Sequence, residues 1–160
     1  MVKLIRSIMR LKDKVAIITG ASRGLGRAIA QSFAYEGAFI SICSKTDEIF
    51  LVADQIKSSC QKCYASKLDV SDYNAVKEFV DETYKRFGKI DILVNNAAIL
   101  GVRENIVDYP VDEWEKVLNV NLNGVFYFTH EVLKHMIPQG FGSIIMVSSS
   151  VGRKGKARWG

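Results

Sequence analysis

The stretch "VAIITGASRGLGRAIA", residues 15–30, joins a short apolar, β-rich run to a glycine-containing loop and then to a helical pattern. Gly20, Gly24 and Gly26 allow the backbone to turn tightly and to approach a ligand closely. A helix that begins in this loop offers unpaired N–H groups and the positive end of its dipole. The stretch therefore predicts a strand, a turn and a helix that together bind an anion, and a pyrophosphate is the anion that this chemistry implies.

The spacing of these glycines matches neither the G-x-G-x-x-G pattern nor a Walker loop, which ends in Gly-Lys-Ser/Thr. Glycines at strand-to-helix turns also occur for structural reasons alone. The loop by itself therefore does not identify its ligand.

The rest of the chain repeats the alternation of short apolar runs and longer helical periods. Several of the runs are almost continuously apolar, as buried parallel strands are. Ser71 is the predicted N-cap of the third helix. Strands are predicted at 15–19, 38–43, 63–68, 90–95 and 143–148, and helices at 24–36, 47–59, 72–87 and 111–136. This order predicts an α/β domain with a doubly wound parallel sheet of five strands, whose ligands bind at the carboxyl ends of the strands.

Composition excludes several other classes of protein. The 160 residues are 48% hydrophobic, which suffices for one domain with a core. The net charge of +5 is concentrated near residues 1–14 and 153–158, which argues against a nucleic-acid face within the fold. The three cysteines do not form a secreted disulfide framework, and "CQKC" at 60–63 has no second Cys or His pair to complete a zinc site. We therefore expect a reducing, cytoplasmic location, no metal, and no membrane span, since no apolar run reaches roughly 18 residues.

Five motifs in order resemble the short-chain dehydrogenase/reductase family: "TGASRGLG" (19–26), "LDVSD" (68–72), "NNAA" (95–98), "NVNLNGVF" (119–126) and "IIMVSSS" (144–150). The resemblance runs from about Leu11 to Gly160 and implies an incomplete NAD(P)-binding, Rossmann-type domain over 11–160, preceded by a basic extension over 1–10. The family's later strands and helices, including a helix that pairs with 111–136 in its dimers, would lie beyond Gly160. The predicted fifth strand would then be an open apolar sheet edge, and we expect the complete form to be a homo-oligomer.

The resemblance also implies which residues contact a nicotinamide dinucleotide. Asp69 and Val70 are similar to the pair that contacts adenine, although strand-end capping is an alternative for Asp69. Asn95 and Ala97 are similar to residues near the ribose, and Ala98 stands where the family usually has glycine. The pyrophosphate and adenosine side would be lined by Gly20, Ser22, Arg23, Gly24, Leu25 and Gly26.

Charge at the end of the second strand predicts the choice between NAD and NADP. An acid there holds the ribose 2′-hydroxyl, whereas a base accommodates a 2′-phosphate. Ser44 and Lys45 occupy this place, and Arg23 in the glycine loop supplies a second cation. NADP is therefore the predicted cofactor, with NAD as the alternative.

Asn121 and Ser149 are the predicted catalytic residues. Asn121 falls within the apolar stripe of the predicted helix 111–136, where an amide needs polar partners. The resemblance implies that Asn121 holds a water molecule in a proton relay, with Asn119 as the alternative. It also implies that Ser149 hydrogen-bonds the substrate oxygen. A structural hydrogen bond across the core is the other interpretation of Asn121.

The family's proton donor, a tyrosine followed four residues later by lysine, would fall just beyond Gly160. One such pair lies inside the chain, Tyr73 with Lys77, but it is on the third helix and Tyr73 belongs to the apolar stripe of that helix. We therefore expect it not to be catalytic.

The resulting hypothesis is an NADP(H)-dependent oxidoreductase that acts on a carbonyl/secondary alcohol pair and is inactive as a truncated chain. The alternative is a non-catalytic dinucleotide-binding module or pseudoenzyme. A weaker third hypothesis is binding to an anionic surface through the basic ends of the chain.

Overall fold

A computed structural model describes residues 9–59, 62–154 and 158. Its five strands form one sheet in the order β3-β2-β1-β4-β5, and every neighbouring pair is parallel. The strands are β1 (Val15–Thr19), β2 (Phe39–Ser44), β3 (Cys63–Lys67), β4 (Ile92–Asn95) and β5 (Ser143–Met146). The prediction of a doubly wound α/β sheet is therefore confirmed.

Helices cover both faces of this sheet because successive strand residues point to opposite sides. Ala16 and Ile18 pack with α1 (Gly24–Tyr35) and α2 (Glu48–Ser58), whereas Ile17 packs with α3 (Tyr73–Phe87) and α5 (Gly124–Gln139). Both cores are apolar, and their large side chains include Ile40 and Ile49 on one face and Phe79 and Phe128 on the other.

Two local predictions were wrong. Asp72, not Ser71, caps α3, because its carboxylate accepts from the backbone N–H groups of Asn74 and Ala75 at 2.9 and 3.1 Å. The predicted helix 111–136 is also not continuous: α4 (Val111–Leu118) is followed by a π-helical segment (Asn119–Asn123) and only then by α5. The wider π turn rotates the faces of α4 and α5 relative to each other, and so Trp114 is 42% exposed while Phe128 is fully buried.

Asp91 connects the start of β4 with β1. Its buried carboxylate accepts from the N–H of Val15 at 2.9 Å and forms ion pairs with Lys14 and Lys89, each at 3.1 Å. Burial alone would raise the pKa of Asp91, but these three donors outweigh it and hold the pKa below its ordinary value. These contacts lie at the amino ends of β1 and β4. They therefore do not occupy the carboxyl ends of the strands, where ligands of such sheets bind.

Both ends of the described chain bear on the sequence predictions. Residues 1–8 of the predicted basic extension lie outside the described residues, but its last residue, Arg10, is bonded to Glu36 at the end of α1. Among the residues that the structure describes, β5 has a neighbouring strand on one side only, and Ile145 and Met146 are 41% and 52% exposed. Cys60, half of the "CQKC" motif, also lies outside the described residues.

Candidate functional site

A cleft of about 870 Å³ opens at the carboxyl ends of β1, β2 and β4. The lining includes the segment 68–71, called here the cleft wall, the loop after β4, and residues of α4 and of the π-helical segment. All the predicted cofactor residues except Asn95 line it: Gly20, Ser22, Arg23, Gly24, Leu25, Gly26, Ser44, Lys45, Asp69, Val70 and Ala97. The topology therefore brings together residues from four separate parts of the sequence.

The glycine loop is packed so closely that two of its glycines admit no side chain. Gly20 has φ of +65°, and a Cβ on it would lie 2.8 Å from Cα of Ala97. A Cβ on Gly26 would lie 2.5 Å from the carbonyl oxygen of Gly20 and 2.5 Å from Nδ2 of Asn96. Gly24, with φ of +56°, faces open space instead. The loop is thus a concave backbone surface at the amino end of α1.

Donors at this helix end are not used by a side-chain cap. Arg23 is the N-cap residue of α1 and makes no capping hydrogen bond, and the first turn contains no acidic residue. The first N–H groups of a helix have no partner within the helix, and its dipole favours negative charge there. A phosphate group in the cleft would therefore face both the unpartnered N–H groups and the positive end of the helix dipole.

Thr19 and Asn96 hold the loop in place, and the sequence analysis missed both. The amide of Asn96 donates to the carbonyl oxygens of Thr19 and Gly20 at 2.8 and 3.2 Å. The hydroxyl of Thr19 accepts from the N–H groups of Asn96 and Ala97 at 3.0 and 2.9 Å. The signal available in the sequence is that each is a polar residue at the end of a buried strand.

Lys45 and Asp69 form an ion pair at one corner of the cleft, called here the adenosine corner because the sequence analysis expects adenosine there. The ammonium of Lys45 lies 2.6 Å from Oδ2 of Asp69, and Oδ1 accepts from the N–H and hydroxyl of Ser71 at 3.0 and 2.7 Å. Burial would raise the pKa of Asp69, but Lys45 and Ser71 outweigh it and lower the pKa. Asp69 is therefore an anchored carboxylate that orients the exposed cation beside it.

Asn95 and Asn121, two of the predicted site residues, are not among the residues that line the cleft. Asn95 does not line the cleft: it is 4% exposed and its amide donates to the hydroxyl of Thr129 at 3.2 Å. Asn121, in the π-helical segment, exchanges two hydrogen bonds with the backbone of Ile99 at 2.9 and 2.8 Å. Ile99 and Asn119, the alternative to Asn121, both line the cleft. Asn121 is therefore next to the cleft, and its side chain holds the loop after β4.

Ser149 lies outside the cleft lining, at the carboxyl end of β5. It is exposed and caps a short 3₁₀ turn (Ser150–Gly152), where its hydroxyl accepts from the N–H of Val151 at 3.4 Å. The pairing of β5 with β4 nevertheless brings this end of β5 beside Asn95, through the bond from Val147 N–H to the carbonyl of Asn95 at 2.9 Å.

Tyr73 and Lys77 lie away from the cleft, at α3. The hydroxyl of Tyr73 donates to Glu131, and that carboxylate raises the pKa of the phenol, the reverse of what a catalytic tyrosine needs. Lys77 is 3.6 Å from Asp81.

The family model for the short chain dehydrogenases matches residues 14–160. The chain belongs to the short-chain dehydrogenase family. It is 40% identical over 146 residues to a 3-oxoacyl-acyl-carrier-protein reductase of Thermotoga maritima, a match covering 90% of this chain and 58% of the relative. It is 36% identical over 147 residues to a 3beta-hydroxysteroid dehydrogenase of Mediterraneibacter gnavus, covering 91% and 53%.

The solved structure of an NAD+-bound xylitol dehydrogenase superposes on this short-chain dehydrogenase with a TM-score of 0.90 and 31% identity. That match covers 94% of this chain and 58% of the xylitol dehydrogenase. The chain spans about half the length of the curated relatives that it matches.

In the described ranges, no group of three or more His, Cys, Asp or Glu side chains is placed to hold a metal ion. No helix among the described residues is long and apolar enough to cross a membrane.

Proposed function

We propose that the cleft binds a nicotinamide dinucleotide and that the chain is the cofactor-binding part of an NADP(H)-dependent oxidoreductase. The reaction is hydride transfer between the nicotinamide and a carbonyl/secondary alcohol pair. The observation that carries this proposal is the concave backbone surface of Gly20 and Gly26 at the amino end of α1, packed against Asn96 and Ala97. When bound, the dinucleotide supplies or accepts the hydride.

The residues present fit such a ligand. The glycine loop and the uncapped N–H groups of α1 suit the pyrophosphate, and the cleft wall, with Asp69 and Val70, suits the adenosine half. A side chain on Gly20 or Gly26 would clash with Ala97, with Asn96 or with the loop's own backbone, and would displace the backbone that faces the phosphates. The cleft volume of about 870 Å³ is in the range of small-molecule and cofactor sites.

The preference for NADP is supported by Lys45 and Arg23, which both line the cleft. Asp69 holds the Lys45 ammonium at the end of β2, where a 2′-phosphate would be recognised. Because the side chain of Lys45 is 74% exposed, the interaction is screened by solvent and its contribution is modest. Glu48 also lines the cleft, and its negative charge reduces the net positive charge of this corner. The pKa of Glu48 is lowered by the hydroxyl of Thr46, by its own N–H and by the charge of Arg23.

The test is calorimetric titration of the 160-residue chain with NADPH and NADH. Lys45→Ala should weaken NADPH binding roughly 2- to 5-fold and leave NADH binding nearly unchanged. Lys57→Ala removes the same charge from the end of α2, outside the cleft, and should change neither affinity. An equal loss for both cofactors in Lys45→Ala would contradict the NADP preference.

For catalysis, we propose that Ser149 hydrogen-bonds the substrate oxygen and that Asn121 supports a proton relay. A non-catalytic dinucleotide-binding module is the second candidate, and one observation favours it: within the described ranges, no tyrosine lines the cleft. These 160 residues are therefore expected to bind NADPH without reducing ketones. Ketone-dependent NADPH oxidation by the purified chain would contradict this expectation.

We further propose that the complete protein is a cytoplasmic homo-oligomer. The exposed apolar side chains of Leu122, Phe126 and Ile137, on the π-helical segment and α5, support the oligomer. Cys43 and Cys63 form no disulfide, which supports a reducing compartment. Light scattering that gives a monomer mass for the complete protein would contradict the oligomer.

A further inference from the structure

Glu131 is a buried carboxylate that the proposed chemistry does not use. It lies on α5, is 1% exposed, and accepts a hydrogen bond from the hydroxyl of Tyr73 at 2.6 Å. The ammonium of Lys134 is 2.7 and 2.8 Å from its two oxygens. Burial would raise the pKa of Glu131, but Lys134 and Tyr73 outweigh it and hold the pKa below its ordinary value.

A buried, ion-paired carboxylate usually adds little net free energy to the stability of a fold. Taking a carboxylate out of water is costly, and apolar side chains of the same volume often stabilise a site as well. A buried charged network can instead specify one geometry among several. The role of this network therefore depends on which part of the molecule it holds.

The network ends two residues beyond the cleft wall. Tyr73 is the first residue of α3, and it follows directly on Asp72, the N-cap, and on the segment 68–71 that lines the cleft. The bond from Tyr73 to Glu131 joins residues 58 positions apart, so it ties the beginning of α3 to a different helix. The ring of Tyr73 also packs edge-on against Tyr127, with the ring centroids 5.3 Å apart.

A second contact on the same helix fixes the same wall. Gly124, the first residue of α5, has no room for a side chain, because a Cβ there would lie 2.9 Å from Cγ2 and 3.0 Å from the carbonyl oxygen of Val70. Positions 124 and 131 are about two helical turns apart and share one face of α5. Helix α5 therefore touches the cleft wall directly at Val70 and holds its far end through Tyr73.

We propose that Tyr73 and Glu131 are positioning residues: their hydrogen bond holds the cleft wall at the distance from the glycine loop that the adenosine half of the dinucleotide requires. This rests on the proposed function. The proposed role of Tyr73 is in cofactor binding and is separate from proton transfer. Helix α5 then connects the adenosine corner of the cleft with the π-helical segment that carries Asn121.

The test compares Tyr73→Phe with Lys134→Met in the 160-residue chain. Tyr73→Phe removes the bond that ties the start of α3 to Glu131 and leaves Glu131 paired with Lys134. Lys134→Met removes the lysine partner of Glu131, leaves His130 at 3.8 Å, and leaves the bond from Tyr73 in place. Both variants should lose some stability, measured by urea unfolding. Only Tyr73→Phe should weaken binding of NADPH and of adenosine 2′,5′-bisphosphate, each by roughly 3- to 10-fold.

Glu131→Gln provides the rescue, because its amide oxygen still accepts from Tyr73, and its affinity should stay within about twofold of the parent chain. Equal affinities for Tyr73→Phe and the parent chain would overturn the inference alone, as would an equal loss in Lys134→Met. No saturable NADPH binding by the parent chain would overturn the proposed function, and the inference with it.

Discussion

Gly26→Ala is a sharp probe of the glycine loop, because its single added carbon meets two atoms at once. The new Cβ would lie 2.5 Å from the carbonyl oxygen of Gly20 and 2.5 Å from Nδ2 of Asn96. Non-bonded heavy atoms settle at about 3.5 Å or more, so the neighbours must retreat by about 1 Å. One neighbour is backbone of the glycine loop, and the other is the amide that bonds Thr19 and Gly20.

The cost follows from these two displacements. Overpacking of a close contact costs about 1–3 kcal/mol, and disturbing a hydrogen bond of Asn96 adds about 1 kcal/mol. We expect Gly26→Ala to lower the free energy of unfolding by about 2–4 kcal/mol, which a domain of ordinary stability tolerates at low temperature. The displaced loop should also lower NADPH affinity by about 10-fold or more, because it moves the phosphate-facing backbone.

Gly88→Ala is the matched control. Gly88 ends α3 with φ of +75°, and a Cβ added there would face open space, so alanine suffers backbone strain of about 1–2 kcal/mol without a clash. Urea unfolding followed by circular dichroism gives both stabilities, and fluorescence titration with NADPH gives both affinities. The reasoning is refuted if Gly26→Ala binds NADPH as tightly as Gly88→Ala.

Three further predictions concern caps, acid stability and thiols. Asp72→Ala should cost about 1 kcal/mol of unfolding free energy and Asp72→Asn distinctly less, as measured by urea unfolding, since an amide oxygen can still cap α3; equal costs would contradict this assignment. The lowered pKa of Asp91 means that its stabilisation is complete above the ordinary aspartate pKa and is lost as pH falls through the folded pKa. Asp91→Asn should therefore be less stable at pH 7 and should lose less stability than the parent chain below about pH 4, and parallel acid profiles would be the contrary result. Cys43 is fully buried and burial raises its pKa, so iodoacetamide should label it only after unfolding, and labelling of the native chain at pH 8 would contradict its burial.

Local chemistry makes much of the fold predictable. The strand Val15–Thr19 has the predicted bounds because five buried residues are followed at once by Gly20. The order of strands and helices leads to the doubly wound sheet because parallel strands need crossovers that cover both faces. The predicted cap of α3 was wrong because Ser71 and Asp72 are both good cap residues, and only the backbone conformation selects between them.

The features that could not be predicted depend on contacts between distant residues. The π-helical segment contains Asn121, whose amide is bonded to Ile99, 22 positions earlier. The helical periodicity of the sequence gives no indication of these hydrogen bonds. The ion pair of Lys45 with Asp69 spans 24 positions, and the sequence predicts these two residues only as separate ligand contacts. Sequence motifs thus indicate which residues surround the cleft, whereas their mutual pairing follows only from the three-dimensional arrangement.

Binding of a nicotinamide dinucleotide in the cleft at the ends of β1, β2 and β4 is the proposal on which the others depend. Calorimetric titration of the 160-residue chain with NADPH measures this binding without any assumption about the substrate. We expect one saturable site per chain, tighter for NADPH than for NADH, from which adenosine 2′,5′-bisphosphate displaces the dinucleotide. No saturable binding of either dinucleotide at concentrations up to about 1 mM would contradict it.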